Sequence, residues 1–220
     1  MVVGLLFLTK RDFMFNTKYK HIIFDIGGVL LSWKPLEIAH DLFSHNKQIQ
    51  QETLDKTILD ITKSKIWEHI DRGTLCVEEV ITELSKTYDP NIVRPFLESI
   101  PKYLTPIKEG IDLFHAVKQN GYNRFILSNM SKEFMHKAVK KNDFYKNNDG
   151  MLFSYTVKKI KPEPEIYTSL LTTYNLNPNE CLFIDDVEKN IIAAKKLGID
   201  GILCSCHQSV WDECKRLGIL

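Results

Sequence analysis

Residues 21–30 read His21-Ile22-Ile23-Phe24-Asp25-Ile26-Gly27-Gly28-Val29-Leu30, an apolar run that delivers a carboxylate into a glycine-rich turn. A short unbroken apolar run predicts a buried strand of the kind found in parallel sheets covered on both faces. Asp25 then places a charge at the end of a core element. That is costly unless a metal ion, a basic side chain or backbone N–H groups pair it. A second apolar run, Cys181-Leu182-Phe183-Ile184, ends the same way, in Asp185-Asp186. Two strands that end in acids, far apart in sequence, predict a shared metal site at the C-terminal edge of one sheet.

The rest of the chain sorts into two patterns. From Pro106 onward, helical and strand-like segments alternate. Helical spacing runs over 110–120, 132–141, 163–174, 187–197 and 210–217, and short apolar strands over 124–127, 151–157, 181–184 and 201–204. Such alternation predicts a Rossmann-like α/β core, a parallel sheet with helices on both faces. Residues 33–105 hold no convincing strand, and their apolar spacing suits helices at 36–43, 49–61, 66–70, 77–88 and 92–100. The organisation read from this is an N-terminal extension over 1–20, an α/β core from 21–32 and 106–220, and an inserted helical cap over 33–105, with 101–106 as the returning linker.

Four sites fall at the C-terminal ends of core strands or in the loops that follow: Asp25, Ser128-Asn129, Lys161-Pro162 and Asp185-Asp186. In an open α/β sheet that edge is where ligands bind. Each residue type has a job in phosphoryl transfer. A carboxylate can attack phosphorus and form an acyl phosphate. A hydroxyl and an amide can hold phosphate oxygens, and a lysine can neutralise charge. Paired acids can hold Mg²⁺, which takes hard oxygen ligands.

At this point the chain resembles the haloacid dehalogenase-like hydrolase superfamily. The resemblance is carried by Asp25 through Leu30, by Ile126-Leu127-Ser128-Asn129, by Lys161-Pro162-Glu163-Pro164-Glu165-Ile166-Tyr167, and by Asp185-Asp186-Val187-Glu188-Lys189-Asn190 running into Ala193-Ala194 and Leu197-Gly198. Four motifs in this order and spacing, over residues 21–204, carry more weight than any one alone. The resemblance implies that Asp25 is the nucleophile and a metal ligand, and that the Gly27 carbonyl is a second ligand. It implies that Asp186 is the main acidic ligand of the fourth motif, with Asp185 in direct or water-mediated contact. Ser128 and Asn129 would bind phosphate, and Lys161 would balance the negative charge.

One position departs from that pattern. Phosphatases of the family usually carry a second aspartate two residues after the nucleophile, which protonates the leaving group and later activates water. Here the position is Gly27. General acid–base help is worth about 10²–10⁴-fold, so three outcomes stand open: a substrate with a good leaving group, an acid supplied by the cap (His69 or Asp71), or binding with little turnover. The reading is therefore a Mg²⁺-dependent phosphatase of a small phosphorylated metabolite, with sugar phosphates among the classes considered. The alternatives are a 2-haloacid dehalogenase-type hydrolase, which would not need Mg²⁺, and a catalytically weak phosphate-binding or regulatory protein.

Composition excludes other classes. Of 220 residues, Lys plus Arg is 29 and Asp plus Glu is 28, which lacks the basic footprint of a nucleic-acid binder. No apolar run nears the roughly 20 residues that span a bilayer. The stretch from Met1 to Leu8 is apolar but short, and Lys10-Arg11 follow it, an order unlike an export signal. It reads as an extension, with Met14 as a candidate alternative start. Five cysteines without framework spacing are expected to be reduced thiols in the cytoplasm. Among Cys204, Cys206, His207 and Cys214 no standard zinc spacing occurs, so buried thiols are the expectation. Arg72 reads equally as a substrate contact or a helix-end charge. Trp33, Trp67 and Trp211 read first as packing, with Trp33 placed to line an entrance. The sequence carries no signal for the oligomeric state.

Overall fold

The computed structural model describes residues 17–139 and 142–220. The segment from Met1 to Leu8, and Met14, lie outside the described residues, as do the last two positions of the helix expected over 132–141.

The apolar runs form strands as their composition requires. They are β1 (His21–Phe24), β2 (Asn123–Ser128), β3 (Gly150–Phe153), β4 (Cys181–Asp185) and β5 (Asp200–Leu203). All pair in parallel, in the order β3-β2-β1-β4-β5. Alternate residues feed opposite faces of the sheet. Ile22 and Phe24 join one core with Ile126, Leu182 and Ile184. Ile23 joins the other with Phe125, Leu127 and Phe183. Helices α6 (Lys108–Gln119) and α11 (His207–Arg216) supply Leu113, Phe114, Val117, Val210 and Cys214 to the first core. Helices α9 (Pro164–Thr173) and α10 (Glu188–Lys196) supply Ile166, Tyr167, Leu170, Ile191 and Ala194 to the second. The strand order reverses at β1, between β2 and β4, so a crevice opens beyond the ends of β1 and β4.

Between β1 and α6 the chain forms α1 (Pro35–Phe43), α2 (Gln51–Thr62), α3 (Lys65–Arg72), α4 (Val77–Leu84) and α5 (Pro90–Tyr103). This helical block leaves and rejoins the sheet at one place. Ser32 N–H donates to Thr105 C=O at 2.8 Å and Ile107 N–H to Leu30 C=O at 2.9 Å, so the two crossings run side by side. Helix α5 runs past Ile100, where the sequence suggested an end, through Pro101 to Tyr103, and also contains Pro95. An interior proline costs a helix about 3 kcal/mol. Burial of Ile92, Val93, Phe96, Leu97 and Ile100 opposes that cost.

A second difference lies after β3. The strand expected over 151–157 stops at Phe153, and Ser154–Val157 form a helical turn, α8. The reason is local: the Ser154 hydroxyl accepts from Met130 N–H at 2.9 Å and donates to the Asp71 carbonyl. Those bonds tie the turn to both the β2 loop and the helical block. Helix α7 (Lys132–Val139) follows β2. No helix among the described residues is long and apolar enough to cross a membrane.

Candidate active site

The site is built around one ammonium group. Lys161 is 3% exposed, and its Nζ donates to Leu127 C=O at 3.1 Å and to Asp185 Oδ2 at 2.7 Å. It also lies 2.7 Å from Asp25 Oδ1. A lysine ammonium has three protons, and three acceptors surround this one. Burial works against its charge, but Asp185 and Asp25 outweigh burial and hold it above the ordinary lysine range. Burial pushes the Asp25 carboxyl up. Lys161 pulls it back, and the nearby Asp185 and Asp186 add to the rise.

Asp185 is fully buried and saturated. Besides Lys161, it accepts from Val187 N–H at 2.8 Å and from Asn190 Nδ2 at 3.0 and 3.1 Å. Asp186, next in sequence, is exposed at the rim. Its approach to the β1 loop depends on Gly28, which has φ +69°. A Cβ there would lie 2.2 Å from Asp186 Oδ2 and 2.6 Å from its Cγ. The glycine-rich turn therefore serves two ends, a left-handed backbone and room for a second carboxylate beside Asp25.

Carboxylate oxygens of Asp25, Asp185 and Asp186 lie within 4.8 Å of one another, the only group of three or more metal-ligating side chains found among the described residues. Three carboxylates face one ammonium, which leaves excess negative charge in a largely buried site. Asn190 Oδ1 is buried with no hydrogen-bond partner among the described residues. The hard-oxygen donor set and the uncompensated charge fit a divalent cation with oxygen ligands.

Comparison with known proteins shows the family. Residues 22–204 match the family model described as haloacid dehalogenase-like hydrolase. The chain belongs to this family. Among curated relatives, a sesquiterpene phosphatase of Aspergillus oryzae is 24% identical over 189 residues, covering 84% of this chain and 90% of that protein. A D-ribitol-5-phosphate phosphatase of Bacteroides thetaiotaomicron is 24% identical over 194 residues, covering 82% and 89%. Two solved structures share the fold. A family enzyme of Bacteroides thetaiotaomicron in complex with magnesium and inorganic phosphate has a TM-score of 0.61 at 22% identity, over 84% of this chain and 93% of that one. A dehalogenase with an intermediate complex has a TM-score of 0.69 at 18% identity, over 90% and 97%.

In this haloacid dehalogenase-like hydrolase the acids open into a cavity of about 230 Å³ between the sheet edge and the helical block. Asp25, Gly27, Ser128, Asn129, Lys161 and Asp186 line it from the core, while Trp33, Trp67, Asp71, Ile100 and Leu104 line it from the helical block and its hinges. Ser128 closes β2 and is 2% exposed. Asn129 also engages the backbone. Its Oδ1 accepts from Lys161 N–H at 2.7 Å and its Nδ2 donates to Lys161 C=O at 3.0 Å. Both ends of the amide clamp the lysine, and the side chain reaches the cavity as a positioning group.

The two candidate acids of α3 part company. Positions 69 and 71 are two apart on a helix and so point to different sides, whereas 67 and 71 share a face. Asp71 and Trp67 line the cavity. His69 is exposed, with Nδ1 2.8 Å from Thr74 Oγ1. Arg72, the last residue of α3, forms a two-pronged ion pair with Glu163, in the loop that carries Lys161. Trp33 lines the cavity with its ring 5.7 Å from that of Trp67. Trp211 Nε1 donates to Glu109 C=O, a packing role. Cys204 and Cys214 are buried, and Cys206 is exposed. His207 Nε2 lies 2.9 Å from Val29 C=O. The residue that sequence reasoning did not single out is Asn190. Its signal was its place five residues after Asp185, one helical turn in, where a side chain reaches back to the strand end.

Proposed function

We propose that the protein is a Mg²⁺-dependent phosphatase of a small phosphorylated metabolite that works through an aspartyl-phosphate on Asp25. The observation that carries this reading is the Asp25 carboxylate, with Oδ1 held 2.7 Å from the Lys161 ammonium inside a three-carboxylate cluster. Lys161 fixes one oxygen and leaves the other to attack phosphorus. The Ser128 hydroxyl, at the end of β2, binds a phosphate oxygen, and the Asn129 clamp holds Lys161 in place. Asp25, Asp186 and the Gly27 carbonyl would hold Mg²⁺, with Asp185 acting on it from behind. When bound, the ion supplies positive charge against the phosphoryl oxygens.

The helical block acts as the cap, closing over the substrate and excluding bulk water. The cavity, at about 230 Å³, lies below the roughly 300–1,000 Å³ of drug-sized sites, so the substrate is compact. The phosphatase relatives act, by name, on a sesquiterpene and on ribitol phosphate. That brings both apolar and polyol phosphates into a screening panel. The protein's work is read as cytoplasmic, a reading that the free cysteines support.

The test is phosphate release from such a panel with and without Mg²⁺, run beside Asp25→Asn. Mg²⁺-dependent release that vanishes in the variant supports the reading. Gly27 favours a second reading, since a dehalogenase needs no second aspartate. Release of halide from 2-haloacids at full rate in chelator would establish that reading instead. Retained phosphate binding with no turnover of any ester would leave a phosphate-binding protein.

A further inference from the structure

We propose that Asp71, on the helical block, is the catalytic general acid and base of this site, the role for which position 27 has no side chain. The proposal rests on the phosphatase reading and adds to it a residue that reaches the substrate from outside the core.

Several of the polar groups lining the cavity are already engaged. Both ends of the Asn129 amide bond the Lys161 backbone. Lys161 is held by three acceptors. The Asn190 amide donates to Asp185. Asp25 and Asp186 belong to the carboxylate cluster. Asp71 is the remaining carboxylate in the lining, and it comes from the wall opposite the sheet edge.

Its position is built rather than incidental. Gly73 ends α3 in the left-handed conformation, at φ 62°, and a Cβ there would lie 2.7 Å from Tyr155 Cβ, so the helix end closes on α8. Ser154 donates to the Asp71 carbonyl, Lys158 to the Gly73 carbonyl, and Arg72 pairs with Glu163. The backbone at residues 71–73 is thus fastened to the same loops that carry Met130 and Lys161. Trp67, one turn back on the same helix face, lines the cavity beside it. The charged groups acting on it are Lys161 from the core and Glu68 on its own helix. Burial pushes its carboxyl up to about 7, with Lys161 and Trp67 pulling down and Glu68 pushing up. An acid in that range can both give and take a proton near neutrality.

The step balances as follows. An Asp25 oxygen attacks phosphorus, the bond from phosphorus to the ester oxygen breaks, and the Asp71 proton passes to that oxygen, releasing an alcohol. Asp71, now a carboxylate, takes a proton from water as the water oxygen attacks the aspartyl-phosphate. Inorganic phosphate leaves, Asp25 is restored, and Asp71 is again protonated.

The experiment compares single-turnover phosphoryl transfer from an alkyl phosphate and from p-nitrophenyl phosphate in the full-length protein and in Asp71→Asn. Nitrophenolate leaves without a proton, whereas an alkoxide does not. In the variant, we expect the first turnover of the alkyl ester to fall by about 10²–10⁴-fold. The first equivalent of nitrophenolate should still appear near the parent rate, then stall at the phosphoenzyme. Equal losses on both esters, or no loss on either, would overturn the role of Asp71. Because the two rates are read on one variant, any folding defect cancels in their ratio. A parent protein that hydrolyses neither ester would overturn the phosphatase reading itself.

Discussion

Gly28 shapes the carboxylate cluster, and Asp71 carries the proposed acid. A methyl group at position 28 has nowhere to go: it meets Asp186 at 2.2 Å on a backbone at φ +69°. Gly28→Ala therefore adds about 1–2 kcal/mol of left-handed strain and drives Asp186 from the cluster. A Mg²⁺ titration of activity should show half-saturation raised by about tenfold, a loss of about 1.4 kcal/mol. Asp71 makes a prediction about pH. Its folded carboxyl is raised to about 7 from an ordinary value of 3.8, so the folded state holds this proton more tightly than the unfolded chain. The linked stability is fully present below the unfolded value and is lost as pH rises through about 7. Urea midpoints of the parent should fall between pH 5 and pH 8, and Asp71→Asn should flatten that fall. At this scale Asp25 and the Asp185-Asp186 pair were legible because each follows a strand as a charge that needs a partner, and Lys161 was legible through the motif around it, although a helical turn separates it from β3. The clamp role of Asn129 was not legible, because an amide beside a phosphate site reads the same whether it binds ligand or backbone.

The secondary-structure elements meet at one latch. The C-terminus of α3 is fastened to the loops before α9 and after β3 by Arg72–Glu163, Ser154–Asp71 and Lys158–Gly73. Arg72 and Glu163 side chains are 23% and 30% exposed, so the pair is screened only in part. Hydrogen bonds to charged groups are worth about 1.5–3 kcal/mol. Arg72→Gln should lower kcat/KM by about 10–100-fold. The first-turnover rate at saturating p-nitrophenyl phosphate should stay near the parent's, because Asp25 and Lys161 are untouched. An unchanged kcat/KM would mean that the latch does not position the site. The elements themselves were readable from period and length wherever apolar residues dominated, as in β1, β4 and α9. The exceptions have local causes. At 154–157 the strand gave way to a helical turn because the Ser154 hydroxyl bridges Met130 and Asp71. In α5, burial of one apolar face carried the helix through two prolines.

For the molecule as a whole, the carboxylate cluster acts as a reservoir of repulsion that a cation can relieve. A ligand that binds only the folded state at 100 times its dissociation constant stabilises by about 2.7 kcal/mol. In a domain of this size that raises Tm by roughly 5–10 °C. Mg²⁺ should therefore shift the melting curve upward, a chelator should reverse the shift, and Asp186→Asn should abolish most of it. A curve insensitive to Mg²⁺ would argue against a resident ion. The layered α/β architecture was legible because its alternation is a global pattern, whereas the cavity between sheet edge and helices depends on packing that no local period encodes. The side-by-side crossings at Leu30–Ser32 and Thr105–Ile107 carry a last consequence. A segment whose two ends are neighbours can be exchanged for another without disturbing the strands beneath it. On the proposed reading, chemistry and selectivity are thereby separable inheritances: the floor that carries Asp25 can stay fixed while the roof above it is replaced.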